Sequence, residues 1–231
     1  KELEGPAGMI DYGTLMSVGL ERAKTAREAI QVMTDLVAEY GYASTGESIS
    51  VADPNEVWLF EIIGKGRDQK GAVWVARRVP DGYITAHANQ TRIRQFPRND
   101  PANCLFAPDV VSFARAKGWF TGKDEDFSFT DTYSPPDFEN GRFCESRVWN
   151  VFRRVAPSLN LPDDVARGVV GATPLPLWVK PDRKLAVTDV MSLMRDHFEG
   201  TIFDLSQDIG AGPFACPYRW RPMLWKLDGK Q

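Results

Sequence analysis

Apolar residues return at helical spacing along "TAREAIQVMTDLVAEYG": Ala26, Ala29, Ile30, Met33, Leu36, Val37 and Tyr40 fall on one face. Thr25 before the run and Glu28 three residues later make a capping box, and Gly41 supplies a left-handed stop. Together with a shorter stretch from residue 12, residues 12–41 are expected to be helical in two pieces. One face of the second piece must lie on something large.

The period then changes from helical to two. "ESISVAD", "EVWLFEII", "GAVWVARRV" and "GYITAHAN" are four β-rich runs separated by the turn signals "DPNE" and "PDG", which predicts an antiparallel meander over 47–89. In the second run Trp58, Phe60 and Ile62 share one face and Val57, Leu59 and Glu61 the other. Both faces are mostly apolar, so this strand is expected to be covered on both sides, by the 25–41 helix and by a second layer. The fourth run behaves differently. Ile84, Ala86 and Ala88 make a small apolar back, while Tyr83, Thr85, His87 and Asn89 line the front and a crowd of polar side chains follows.

Beyond residue 100 the pattern predicts helices over 108–118 and 146–157, with an acidic loop between them. Pro-rich "GATPLPLWVKPDRK" follows, then a helix in "TDVMSLMRDHFEG" stopped by Gly200, then a loop-rich tail. With no internal repeat and no low-complexity linker, one α+β domain is the simplest account. It comprises helices 12–41, the meander 47–89 and a helix- and loop-rich remainder 100–231.

Composition narrows the function classes. The 231 residues are 43% hydrophobic and 26% charged with net charge −3, an ordinary globular balance. Arg92, Arg94 and Arg98 form too short a basic cluster for a nucleic-acid or membrane partner, and no apolar run reaches membrane-spanning length. The opening "KELEGPAGMIDYG" lacks an initiator Met and shows no signal peptide, so the chain reads as a piece of something longer and its compartment, cytoplasmic or secreted, stays open. Cys104, Cys144 and Cys216 are too far apart for a metal knuckle; a Cys104–Cys144 disulfide and three free thiols are both allowed.

Most chemical motifs are excluded. His87 and His197 have no partner at ligand spacing, so no metal is expected, and His197 is expected in the last turn of its helix. There is no nucleophile elbow, and no glycine loop opens a helix to cradle phosphate, so no cofactor is expected either. Asp124, Glu125 and Asp126 lack calcium-loop spacing. What is left is polar residues at element ends. Asn89 either donates to a developing oxyanion or caps the turn leaving its strand. Arg147, in the first turn of a helix whose dipole disfavours a cation, either serves a function or pairs with a carboxylate such as Glu145.

The runs "LERAKTAREAIQVMTDLVAEYGYAS", "VADPNEVWLFEIIG", "VWVARRVPDGYITAHANQTRIRQF" and "MRDHFEGTIFDLSQDIGAGPFACPYRWRP" resemble the dipeptidase A family of cysteine peptidases. That family is related to the secernins and more distantly to penicillin V acylase and bile salt hydrolase. The resemblance implies an N-terminal nucleophile hydrolase with stacked antiparallel sheets between helical layers (αββα). It also implies hydrolysis of dipeptides by a cysteine whose own α-amino group is the base. By motif position Asn89 is similar to the family's oxyanion-donating Asn, and Arg147 to an Arg near the nucleophile. Arg92 and His87 are candidates for binding substrate, Arg92 through the substrate carboxylate.

This chain departs from the family at its first residue, Lys1 in place of the nucleophilic Cys. The expectation is an internal portion of a longer dipeptidase that lacks the catalytic strand and is inactive alone. Its partners would be a dipeptide or small amide and the remainder of its own polypeptide, with homo-oligomerisation left open. An inactive homologue or binding module of the same fold, and an acylase-type amidohydrolase, stand as alternatives.

Overall fold

The computed structural model describes residues 8–207 and 209–216. The chain forms two compact units, residues 1–182 and 183–231. The first contains all the elements that position the polar residues singled out above.

Two helices open this unit, α1 (Tyr12–Arg22) and α2 (Ala26–Tyr40). The Thr25 hydroxyl accepts from the Glu28 N–H at 3.2 Å, as a cap requires. The Glu28 carboxylate reaches one residue further back than a capping box has it, to the Lys24 N–H at 2.7 Å. Asp53 supplies the next bond, accepting from the Ala26 N–H at 2.8 Å while its other oxygen caps the 53–56 turn. One carboxylate thus ties the start of α2 to a sheet turn. Gly41, at φ 77°, ends the helix in a conformation that a residue with Cβ adopts only under strain.

The sheet has four strands in the order β1 (Gly46–Ala52), β2 (Val57–Gly64), β3 (Ala72–Arg78) and β5 (Cys104–Phe106), all antiparallel. Its two faces separate into two cores, as the period-two pattern of the second run requires. Trp58, Phe60 and Ile62 meet Ile30, Met33 and Val37 of α2. Leu59, Ile63, Val73 and Val75 meet the opposite layer, built from α3 (Val110–Ala116), Phe127 and α4 (Phe129–Tyr133). No described strand pairs with the outer edge of β1.

The fourth β-rich run does not extend this meander. Within it only β4 (Ile84–Thr85) is extended, and it leaves the sheet to pair with β6 (Trp178–Val179). Cys104–Phe106 takes the place beside β3. The reason is coverage: a slot in a doubly covered sheet needs apolar groups on both faces. Cys104 and Phe106 serve one core and Leu105 the other, whereas the front of "GYITAHAN" is polar.

Glu61 is the exception in the middle of β2, a carboxylate with 0% exposure on the Leu59 face. Its two oxygens accept the N–H groups of Arg92 at 2.6 Å and Ile93 at 3.1 Å. Burial pushes its pKa up to about 7, against the two N–H donors and the Arg92 charge, which pull it down. The segment that follows β4 is thereby fastened, through its backbone, to the centre of the sheet.

Cys104 and Cys144 are buried free thiols, which decides against a disulfide between them, and Cys216 is exposed. In the second unit, α6 (Val187–Met194) stops six residues before Gly200, so His197 lies in the turns after it and not in its last turn. Part of the loop-rich tail lies outside the described residues. Among those described, no helix is long and apolar enough to cross a membrane.

Replacing Glu61 by Gln keeps the volume but turns an NH2 group toward a backbone N–H. We expect E61Q to lower the free energy of unfolding by about 1–3 kcal/mol, measured by urea titration, because one buried donor is left without an acceptor. Unchanged stability would contradict the clamp.

Candidate active site

Residues 86–94 run from β4 across the end of the sheet, and tertiary bonds position nearly all of their polar groups. Asn89 has φ 55°, a left-handed conformation that Asn tolerates better than most residues. Beyond it, the Gln90 amide donates to the Ser134 carbonyl at 2.7 Å, and Glu61 holds the N–H groups of Arg92 and Ile93. This backbone is pinned on both sides of Thr91, so the direction in which Asn89 leaves it is set.

The facing element is α5 (Ser146–Val155), preceded by a π turn over Asn140–Glu145. Gly141 in that turn is forced, since a Cβ there would lie 2.9 Å from Gly168 Cα and 3.0 Å from the Val165 carbonyl oxygen. Its close approach brings residues 165–172 against the start of α5. Such π turns recur where a helix must present side chains off the regular register.

Two cross-links join the segments. Arg92 Nε donates to Glu145 at 3.0 Å, and Arg147, two residues further along, donates from Nη2 to Asn89 Oδ1 at 2.9 Å. The two catalytic candidates read from the sequence are in direct contact. The carboxylate alternative for Arg147 fails, because Glu145 belongs to Arg92 and Arg147 also donates to the Phe143 and Ala88 carbonyls. The pairing has a chemical consequence. A guanidinium only donates, so it fixes the Asn89 amide oxygen toward itself and leaves the NH2 as the outward group. Asn89 is among the residues that line a recess of about 220 Å³ between the start of β1 and Ser134. A preorganised amide N–H beside a cavity can stabilise a developing oxyanion.

Arg92 is used differently from the expectation. Besides Glu145 it donates from Nη1 to the carbonyls of Ala86 at 3.1 Å and Leu177 at 3.2 Å, and from Nη2 to Pro176 at 2.8 Å and Leu175 at 3.5 Å. All five of its N–H groups are therefore occupied, and its plane lies 5.4 Å over the Phe152 ring. It has no donor left for a substrate carboxylate and acts as the post around which β4, the 175–177 strap and α5 are assembled. His87 is also engaged, with Nε2 2.9 Å from Ser50 Oγ on β1. Burial lowers its pKa, and the nearby Arg92 charge lowers it further.

Two contributors to the site were not singled out from the sequence. Glu61 reads as the third member of an apolar face, and only its depth shows its role. Thr91 is 8% exposed with no hydrogen-bond partner for its hydroxyl, and nothing in "NQTRI" marks it out. Among the described residues no group of His, Cys, Asp or Glu is arranged to hold a metal ion.

The His87 shift has a defined sign. An imidazole whose folded pKa lies below its unfolded 6.5 favours folding above pH 6.5, and that contribution is lost as pH falls toward the folded value. We expect the His87 ring signal in an NMR titration to change below pH 6.5, and a midpoint at or above 6.5 would refute its desolvation.

Comparison with known proteins follows the same line. The chain is 30% identical over 195 residues to a probable dipeptidase of Salmonella dublin, covering 84% of this chain and 42% of that protein. It is 28% identical over 191 residues to a probable dipeptidase of Latilactobacillus sakei, with 83% and 37% covered. It is 27% identical over 221 residues to a dipeptidase of Bifidobacterium longum, with 90% and 39% covered. The chain thus spans roughly two-fifths of the length of these curated relatives. The profile of Peptidase family C69 matches residues 6–227, nearly the whole sequence, and on that match the chain belongs to Peptidase family C69.

Proposed function

We propose that this chain is the oxyanion-binding portion of a cysteine-type dipeptidase with an N-terminal nucleophile hydrolase fold, whose nucleophile lies on polypeptide outside the chain. The observation that carries the reading is the Asn89–Arg147 pair, an oriented amide donor facing a recess. The thiolate of an N-terminal cysteine, its proton taken by its own α-amine, attacks the peptide carbonyl. The oxyanion forms against Asn89 Nδ2, the amine leaves with a proton, and water then releases the acyl-enzyme.

Two of the chain's own thiols, Cys104 and Cys144, are poor nucleophiles. Burial pushes Cys104 up to about 11 and raises Cys144, so neither is a thiolate near neutral pH. The edge of β1 supports this reading. Among the described residues no strand pairs with the outer edge of β1, whose residues line both the Asn89 recess and an apolar groove of about 370 Å³ against α1 and α2. A strand added there would satisfy the edge and carry a residue past Asn89. The share of the relatives that lies outside the matched region leaves ample length for it.

N-terminal sequencing of the mature full-length protein tests the nucleophile, and any first residue other than Cys sinks the proposal. In that protein, N89A should lower kcat on dipeptides by about 10²–10³ with the fold intact. Replacing Cys104, Cys144 and Cys216 together by Ser should leave kcat within about twofold, since the nucleophile is none of them. Loss of activity in a folded triple variant would move the nucleophile into this chain.

A further inference from the structure

Beside the Asn89 recess lies a second one of about 280 Å³, and the two share wall residues Gln90 and Thr91. The charged groups around it are Arg92, Arg94, Asp131, Asp137 and Glu145. Both cations are neutralised within the wall, Arg92 by Glu145 and Arg94 by Asp131. That leaves Asp137 in surplus. One of its oxygens accepts from the Asn140 N–H at 2.8 Å, and among the described residues the other has no donor. Thr91 adds an independent observation: more than nine-tenths buried, it lines both recesses and its hydroxyl has no partner among the described residues. A buried hydroxyl without a partner is costly, and a ligand that supplies one offsets the cost.

We propose that this recess receives the protonated α-amine of the substrate, with Asp137 as its counter-charge and Thr91 Oγ as a hydrogen-bond acceptor. The proposal rests on the peptidase reading above and adds to it the reason that the substrate is a dipeptide. In a dipeptide with a free amino terminus the ammonium stands on the α-carbon bonded directly to the scissile carbonyl. A carbonyl facing Asn89 therefore places its ammonium close to the Gln90–Thr91 wall that the two recesses share. An acyl group that continues as a peptide chain, or an acetylated amine, brings neither the positive charge nor the three donors that the surplus carboxylate and the hydroxyl call for. Gln90 takes no part in this recognition because its amide is already given to Ser134.

The test uses the full-length protein with L-alanyl-L-alanine and its N-acetyl derivative. The unmodified enzyme should cleave the free-amine substrate with the higher kcat/KM. D137N should raise KM for it about 10-fold with kcat nearly unchanged, since a charge-assisted contact made equally in ground and transition states is lost. T91V, close to isosteric, should raise KM about 5-fold, as loss of a single hydrogen bond does. Neither variant should alter KM for the acetylated substrate. Circular dichroism and melting temperature establish that both variants are folded. Folded variants that keep the preference for the free amine, or an unmodified enzyme that cleaves both substrates equally well, would overturn this proposal and leave amide hydrolysis standing. An unmodified enzyme that cleaves neither substrate would overturn the peptidase reading itself.

Discussion

A carboxylate buried at the centre of an apolar sheet face holds this protein's polar segment in place. Glu61 has no exposure, and its two oxygens are met by the consecutive backbone N–H groups of Arg92 and Ile93. Burying a charge in such surroundings is unfavourable unless its lone pairs are met by donors, and here the donors come from a stretch that forms no ladder of its own. The exchange serves both sides: the carboxylate is solvated by the backbone, and the backbone is satisfied without being a strand. Residues 89–93 can therefore cross the sheet end in an irregular path that presents side chains to a cavity.

Everything downstream is indexed to that path. Arg92, fixed at its N–H by Glu61, extends its guanidinium to Glu145 and to four carbonyls, gathering β4, the 175–177 strap and the start of α5 around one side chain. With Glu145 located, Arg147 is located as well, and it turns the Asn89 amide so that its NH2 faces outward. The π turn before α5 and the bare backbone of Gly141 let residues 165–172 close one side of the neighbouring recess. The polar groups of these segments are thus largely paired with one another, while the Thr91 hydroxyl is buried without a partner among the described residues and Asn89 and Asp137 are exposed.

Much of the framework was legible in the sequence because it follows from periodicity. Helical spacing over 25–41 required a large surface under α2, and the doubly apolar second run required a layer on each side; the structure sets α2 on the Trp58–Phe60–Ile62 face. The same rule, applied strictly, would have rejected "GYITAHAN" as a strand of that sheet: a run polar on one face cannot occupy a doubly covered slot. Arg92 was misjudged for a related reason. A guanidinium beside a candidate Asn looks like a ligand for carboxylate, and nothing local shows that five acceptors converge on it from residues 86, 145 and 175–177.

What the sequence alone determined is whatever depends on neighbours within a few residues: the helices and their caps, the turns at 53–56 and 80–82, and the two-faced strand; Asn89 and Arg147 it offered only as candidates. Tertiary structure decided which strand completes the sheet, that Asn89 and Arg147 touch, that Arg92 is committed to carbonyls, and that Thr91 and Asp137 share a cavity. Hydrogen bonding and charge pairing between residues far apart in the chain leave no periodic trace in it. Their outcome is written only where the folded backbone brings the partners within about 3 Å of one another.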